Sequence, residues 1–327
     1  MKIGKVPENV LKRSILKKID NKRSEVLIGA GVGEDCACLQ LEPDEVFVLS
    51  TDPITGAKED IGLYAITVTT NDIASSGAEP VAVLVTALLP VETTEEDIKH
   101  MMDDLSKTCK EANVQIVGGH TEITDVVNKP VLSITGVGKV KKGKFITTAG
   151  AKPGDDVIIT KWIGLEGTSI IAKEKEKELL EKFPAKMIYD AKYFDRFLSV
   201  VPEAATAVKS GVSAMHDVTE GGVFGGLWEI AESSGVGLLI DLKKIPVKQE
   251  TIEICNVFDI NPYELISSGS MLMTSKDGNK LVLALKEAGI EAAVIGKVTD
   301  NNDRVLINGE NKRFLEPPKT DELYKVV

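Results

Sequence analysis

Short runs of hydrophobic residues alternate with stretches of helical periodicity along the chain. In the first half, EVFVLSTD and VAVLVTALL predict strands, the former ending at Asp52. The segment IGLYAITVTTNDIASS predicts a helix that Gly77 and Pro80 bring to an end. Thr93 and Glu96 form a capping-box pattern for a second helix, DIKHMMDDLSKTCKEA. The runs VQIVGG and VLSITGVGKV predict two further strands.

The second half repeats this mixture after a polar break. Residues 139–156 are Lys-rich and punctuated by glycine and proline, which is typical of a domain junction. Beyond them, strand patterns such as VIIT, GLLIDL and EAAVIGKV alternate with helical patterns such as GGVFGGLWEIAESS and NKLVLALKEAG. A chain of 327 residues is longer than one hydrophobic core usually serves. We therefore predict two mixed α and β domains, residues 1–148 and 149–327.

Composition and charge narrow the class of partner. Hydrophobic residues make up 43% of the chain, which excludes wholesale disorder, and the net charge is −11. A surface this acidic disfavours nucleic acid and anionic lipid. The longest apolar run, PVAVLVTALLPV, is well short of the ~20 residues that cross a bilayer, and the N-terminal segment has no apolar signal-peptide core. The sequence thus predicts a soluble cytoplasmic protein.

The four cysteines include no C-x-x-C pair, and only three histidines are present. A structural zinc site or a disulfide framework is therefore not expected. Two of the cysteines, Cys36 and Cys38, lie one residue apart in GVGEDCACLQ. They are either a thiolate nucleophile or small buried residues at the start of a strand, and the pattern favours burial because free cysteine behaves mostly as a small hydrophobe.

Acidic residues at the ends of elements or beside glycines are the candidate chemistry. They occur in GVGEDCA, LSTDPITG, TTNDIASSG, GGHTEIT and MHDVTEGG, at Asp35, Asp52, Asp72, Glu122 and Asp217. Glycine lets the backbone approach a ligand, and carboxylates from separate elements are what a Mg²⁺ site requires. The alternative for each single acid is helix capping or an Asx-turn.

The common nucleotide motifs give little support by themselves. The chain has no G-x-x-x-x-G-K-[ST] sequence, and GAGVG at 29–33 lacks the last interval of a dinucleotide fingerprint. The GGVFGG segment at 221–226 opens a helix, so its amides are candidates for binding phosphate at the positive helix end. Its small residues are equally suited to close helix packing.

Taken together in order, these segments resemble one family. The series GVGEDCA, STD, DIGLYAITVTTNDIASSGAEP, VGGHTEIT, MHDVTEGGVFGGLWEIA and ISSGSMLM is similar to the PurM-like (AIR synthase-related) ATP-dependent superfamily. The resemblance covers nearly the whole chain. Within the superfamily it is strongest to the hydrogenase maturation factor HypE, through NDIASSGAEP and MHDVTEGGV.

The resemblance implies an α+β fold of two PurM-like domains. The N-terminal domain would pair with its twin in a homodimer through a β-barrel-like sheet with helices outside, and the C-terminal domain would be α+β. The implied ligands are ATP and Mg²⁺. His120 stands where HypE-like chains often carry Asp, and Glu122 is expected to compensate. The implied site residues are Asp72, Asp217 and His216 for catalysis, Gly33, Asn71, Gly118, Gly119, Thr121, Gly221 and Gly222 for the nucleotide, and Asp35, Asp52, Asp72, Glu122 and Asp217 for the metal.

The function implied is activation of a carbonyl or amide oxygen by ATP. HypE carries its acceptor on a C-terminal cysteine, whereas no cysteine follows Cys255 here, so the sequence predicts a small-molecule acceptor. A maturation protein is a further expected partner. Two alternatives stay open: a nucleotide-binding regulatory or scaffold protein without turnover, and a small-molecule kinase of the thiamine-monophosphate kinase type.

Overall fold

A computed structural model describes residues 3–32, 36–55, 60–317 and 319–327. The chain divides into two compact units. Unit 1 comprises Met1–Ala74 and Ala78–Phe145, and unit 2 comprises Ser75–Gly77 and Ile146–Val327. No helix within the described ranges is long and apolar enough to cross a membrane.

Unit 1 contains two longer helices, a five-stranded sheet and a separate two-stranded antiparallel sheet formed by its second and third strands. Its strands are β1 Gly4–Lys5, β2 Val26–Ile28, β3 Cys38–Leu39, β4 Glu45–Ile54, β5 Glu79–Leu89, β6 Gln115–Ile123 and β7 Val131–Lys141. Its helices are α1 Glu8–Val10, α2 Ile61–Ser75, whose last residue is counted with unit 2, and α3 Glu95–Glu111. A π-helical turn (Leu11–Ile15) and a 3-10 turn (Leu16–Lys18) follow α1.

The sheet of unit 1 has the order β1-β6-β5-β7-β4, in which β5 and β6 are parallel and the other neighbours are antiparallel. Alternate residues of each strand point to opposite faces. Val83, Val85 and Ile134 lie on the face that packs with Ile66 of α2 and Leu105 of α3. We call this the helix face, and the opposite side the outer face. Within one chain's described residues the sheet stays open, so the barrel-like pairing with a twin remains a prediction.

Unit 2 contains a seven-stranded sheet. Its strands are β8 Asp156–Thr160, β9 Ala214–Val218, β10 Gly237–Asp241, β11 Ser270–Ser275, β12 Ala292–Thr299, β13 Arg304–Asn308 and β14 Asn311–Phe314. Its helices are α4 Leu165–Glu174, α5 Glu176–Leu180, α6 Ala185–Lys192, α7 Val201–Ser210, α8 Gly222–Ser234, α9 Gln249–Phe258 and α10 Gly278–Glu287. Short 3-10 turns cover Thr148–Gly150, Tyr193–Phe197, Leu242–Lys244 and Glu322–Lys325.

The sheet of unit 2 runs β14-β13-β10-β12-β8-β11-β9, and only the β10–β13 pair is parallel among the pairs of the described strands. Its main core joins Ile159, Leu238 and Leu272 of the sheet to Leu227 and Ile230 of α8. The mixed α+β class predicted from the sequence is confirmed.

Three local predictions need correction. Strand β4 continues to Ile54, so Asp52 lies within it, opposite Ile134, and not at its end. The capping box of α3 is formed by Thr94 and Asp97, one residue beyond the predicted pair. The expectation that Cys36 and Cys38 are buried is wrong, because both thiols are exposed.

Candidate active site

Two predicted magnesium ligands come together on the helix face of unit 1. Asp52 lies on β4 with the same parity as Ile54, which packs against the helix-face core. Ser50, two residues earlier, donates a hydrogen bond from its Oγ to Asp72 Oδ2 of α2 at 2.5 Å, and the same Oγ is 3.4 Å from Asp52 Oδ2. A hydroxyl has one hydrogen to donate, so the short contact to Asp72 is the principal one. Asp52 and Asp72 thus flank a single serine hydroxyl.

Glycines of β7 allow α2 to approach closely enough for this arrangement. A Cβ at Gly136 would lie 2.5 Å from Thr69 Cγ2, and one at Gly138 would lie 2.3 Å from Ile73 Cγ2. Gly136 is the register partner of Ser50. Any larger residue at these glycines would move α2, and Asp72 with it, away from Ser50.

The predicted Gly118–Glu122 segment lies on β6. A Cβ at Gly119 would stand 1.9 Å from the carbonyl oxygen of Val85 on β5, and its φ of +143° is unfavourable for other residues. His120 Nε2 is 3.0 Å from Glu122 Oε2. Thr121 has the parity of Ile123 and so belongs to the helix face, whereas His120 and Glu122 belong to the outer face.

Glu122 is therefore not brought to Asp52 and Asp72. It lies on the opposite face of the sheet, and β5 and β7 stand between its strand and β4. Its neighbour across the β1–β6 pair is Lys5. Glu122 was predicted to replace the acid for which His120 substitutes. Within a single chain's described residues, the geometry does not support that role.

His216 and Asp217 lie on the edge strand β9 of unit 2. Asp217 is 5% exposed, and its Oδ1 accepts a hydrogen bond from Ser75 Oγ at 3.1 Å. His216 points the other way, with Nε2 2.7 Å from Glu229 Oε2. Burial lowers the pKa of His216, but the Glu229 hydrogen bond and the Asp217 and Glu229 charges outweigh it, so the pKa is raised. The contact with Glu229 thus fixes the orientation of the His216 ring.

The predicted phosphate amides open helix α8, but this chain uses them itself. Gly221 and Gly222 have φ of +83° and +62°. The Gly221 N–H donates to Asp321 Oδ2 at 2.7 Å, and the Gly222 N–H donates to the Thr219 carbonyl at 3.1 Å. Asp321 accepts two further backbone N–H groups, from Ile266 and from Leu323. Phosphate binding at this turn remains a prediction.

Sequence reasoning missed Glu166, a buried carboxyl of unit 2 whose pKa is raised. It lies in the first turn of α4 and is 6% exposed. Burial raises the pKa of Glu166 to about 7; Ser268 lowers it, and the charges of Asp321 and Asp217 raise it further. Neither Glu166 Oε2 nor Ser268 Oγ makes a hydrogen bond of normal geometry with the described residues. The signal was present, because GLEG is another acid beside glycines.

Three predicted site residues remain: Asn71, Gly33 and Asp35. Asn71 is fully buried on α2, next to Asp72. Gly33 and Asp35 lie outside the described residues. Among the residues that are described, no three His, Cys, Asp or Glu side chains are grouped to hold a metal. A magnesium ion at Asp52 and Asp72 would therefore need further oxygens from water or phosphate, which is how this ion is usually bound.

Family models account for most of both units. The model described as AIR synthase related protein, N-terminal domain, matches residues 33–140, and its C-terminal domain counterpart matches residues 152–308. The chain belongs to the AIR synthase related family. This confirms the PurM-like relationship predicted from the ordered motifs.

Curated relatives point to the HypE branch of this family. A hydrogenase expression/formation protein of Methanocaldococcus jannaschii is 29% identical over 99% of this chain and 97% of its own length. The carbamoyl dehydratase HypE of Cupriavidus necator is 28% identical over 82% of this chain and 78% of its own length. The selenide, water dikinase of Clostridioides difficile is 27% identical over 90% of each chain.

Solved structures share the fold. HypE in complex with ATP superposes with a TM-score of 0.82 at 20% identity, covering 98% of this chain and 96% of that chain. A HypE–HypF complex matches with a TM-score of 0.72 at 26% identity, over 83% of this chain and 90% of that chain. The two-domain PurM-like architecture is thus established for this chain.

Proposed function

We propose that this chain is an ATP- and Mg²⁺-dependent enzyme of the HypE type, which transfers a phosphoryl group to a carbonyl or amide oxygen of a small molecule. The observation that carries the proposal is the pair Asp52 and Asp72, held around the Ser50 hydroxyl. Membership of the AIR synthase related family supports it, as do relatives named carbamoyl dehydratase and selenide, water dikinase.

The donors at this pair fit magnesium, because two carboxylates and a hydroxyl offer only hard oxygen ligands. Bound there, the ion would neutralise charge on the phosphates of ATP. The role of Asp52 and Asp72 is to hold that ion at a fixed place, and the role of Ser50 is to fix the carboxylate of Asp72 through its 2.5 Å hydrogen bond. A protein of net charge −11 would otherwise repel a polyphosphate.

The decisive experiment follows ATP by phosphorus NMR, with magnesium and a panel of small amides, carboxylates and phosphate monoesters. We expect release of ADP and inorganic phosphate with one class of amide or carboxylate acceptor. Asp72→Asn removes a charged ligand and should lower turnover by ~100-fold or more. Asp44→Asn, which removes an exposed aspartate paired with Lys141, is the matched control and should leave turnover unchanged.

The other outcomes are equally informative. A new phosphate ester without release of inorganic phosphate identifies a kinase of the thiamine-monophosphate type. Calorimetric binding of ATP with magnesium, but no turnover with any acceptor, identifies a nucleotide-binding regulatory or scaffold protein. The absence of any ATP binding contradicts the proposal altogether.

A protein partner belongs to the same proposal. The HypE–HypF complex supports a maturation protein as the partner of this chain, because 83% of the chain aligns with that HypE at 26% identity.

A further inference from the structure

The four cysteines divide into two classes. Cys36 and Cys38 are exposed, whereas Cys109 and Cys255 are buried. Burial raises the pKa of both buried thiols to about 12, and the charge of Glu322 adds to this at Cys255. A thiol with so high a pKa carries almost no thiolate at neutral pH and is inert. Thiol chemistry with solutes is therefore confined to Cys36 and Cys38.

The packing of their neighbours places both exposed thiols on one side of the chain. Ala37 and Leu39 pack against an apolar cluster that includes Val81 and Val117. Side chains of an extended segment alternate between its two sides, so Cys36 and Cys38 both point away from this cluster, towards solvent.

A bond between them requires the backbone to bend. Residues two apart in an extended chain have Cα atoms ~6.6 Å apart, within the ~4.4–6.8 Å range found for disulfides, but their Cβ atoms are then about as far apart, beyond the ~3.5–4.5 Å that a disulfide requires. Cys38 is held in strand β3 opposite Ile28, whereas Cys36 precedes that strand. Because Cys36 lies outside the strand, the backbone can bend there and bring the two sulfurs together without breaking the β2–β3 pairing.

We propose that Cys36 and Cys38 form a reversible intrachain disulfide by exchange with small-molecule disulfides such as glutathione disulfide. In the first step one cysteine thiolate attacks the glutathione disulfide, forms a mixed disulfide and releases one glutathione thiolate. In the second step the other cysteine attacks the protein sulfur of that mixed disulfide and releases the second glutathione. The protein loses two electrons and two protons, and glutathione disulfide gains both.

The second step is intramolecular, because the two thiols share one side of a short segment. A high effective concentration makes it fast compared with capture of another solute molecule. Closing so small a ring strains the product, so a dithiol reductant readily reopens it. The pair thus behaves as a reversible switch.

The test is a mass-spectrometric comparison of the wild-type chain with Cys36→Ser and Cys38→Ser. Each folded, reduced protein is incubated with glutathione disulfide, quenched with an alkylating reagent and digested. We expect the wild type to be lighter by two hydrogen atoms, with residues 36 and 38 linked and without bound glutathione. Each single variant should accumulate one glutathione per chain, because the resolving thiol is missing.

Internal controls are present in the same chain. Cys109 and Cys255 should be alkylated only after denaturation, and dithiothreitol should restore both exposed thiols. Stable glutathione on wild-type Cys36 or Cys38 would overturn the proposal. A disulfide between two chains, or no reaction at either thiol, would overturn it equally. Because no nucleotide is involved, the result is independent of the proposed ATP chemistry.

Discussion

At the scale of single residues, two buried carboxyl groups of unit 2, Asp321 and Glu166, have raised pKa values. Asp321 has three backbone N–H donors around it, and burial still raises its pKa above the ordinary value. Glu166 is less well satisfied, and its pKa rises to about 7. The difference follows from the donors, because hydrogen bonds to a carboxylate favour its charged form. The pKa of Glu166 therefore lies near neutral pH, where its ionisation affects the stability of this unit.

The pKa of Glu166 predicts a pH-dependent stability. Its folded value of about 7 exceeds the ordinary 4.5, so the folded state binds more protons between these pH values, and stability falls as pH rises through that window. The full effect is about 3 kcal/mol. Glu166→Gln cannot ionise and should remove this part of the slope. Urea unfolding at pH 5 to 8 checks this through the fluorescence of Trp162 and Trp228, both in unit 2.

The control for this experiment is Glu310→Gln, which changes an exposed glutamate of the same unit. It should reproduce the wild-type slope. Equal slopes for Glu166→Gln and the wild type would show that Glu166 is not protonated in the folded protein at pH 5.

Predictability from sequence differed between the candidate magnesium ligands and the residues that hold them in place. Asp52 and Asp72 were identifiable because each is an acid within a recognisable family motif. Ser50 was not, because a serine on a strand carries no signal of what lies across from it. The contact depends on α2 lying over β4, which is a tertiary fact. Glu166 had a sequence signal in GLEG, but its pKa depends on burial that only the fold shows.

At the scale of elements, the β5–β6 pair depends on one glycine. Replacing Gly119 with alanine puts a methyl group 1.9 Å from the Val85 carbonyl oxygen at a φ of +143°. Strand separation or a shift in register must follow. We expect Gly119→Ala to destabilise unit 1 by ~2 kcal/mol or more. Hydrogen exchange of the β5 and β6 peptides, measured by mass spectrometry, should show the loss of protection.

Gly143→Ala is the matched control, because Gly143 also has a positive φ, +74°, but no atom lies within 4 Å of its added Cβ. It should cost only ~1 kcal/mol, the strain of the backbone alone. If both substitutions reduced protection equally, the close approach of Val85 would have no energetic consequence.

Elements with a clear hydrophobic pattern were predictable, including the short strands β8 and β10, whereas strand β9 was not. Helix α3 was predicted with its N-terminus one residue early, because Thr93 and Thr94 offer equivalent capping patterns in the sequence and only the fold selects Thr94. Strand β9 was missed, although it carries His216 and Asp217. It has five residues, AMHDV, and pairs with β11 alone among the strands described, so its backbone contacts rather than its pattern define it.

At the scale of the whole molecule, the outer face of the unit 1 sheet carries exposed apolar side chains on β4 and β5. Phe47 and Leu49 of β4 are 51% and 67% exposed, and Leu84 of β5 is 36% exposed. They lie on the side of the sheet away from α2 and α3. The predicted homodimer gives this face an occupant, because a second copy would cover the same side chains by symmetry.

Leu49→Glu should therefore convert a dimer into monomers, because it places a charge opposite its own symmetry mate in an apolar interface. Sedimentation velocity measures the change. Leu283→Glu alters a comparably exposed leucine of α10 in unit 2 and should leave the association unchanged. A monomeric wild-type protein at all concentrations would contradict the homodimer prediction.

The carboxylate of Asp321 makes helix α8 self-capped by an acid from near the far end of the chain. A phosphate can reach the Gly221 amide only when Asp321 and its neighbours have dissociated from helix α8. The apparent affinity of such an anion is then the intrinsic affinity reduced by the detached fraction. Weak anion binding at this turn would then indicate that Asp321 occupies the Gly221 amide most of the time. Removal of residues 321–327 would strengthen the binding of the anion.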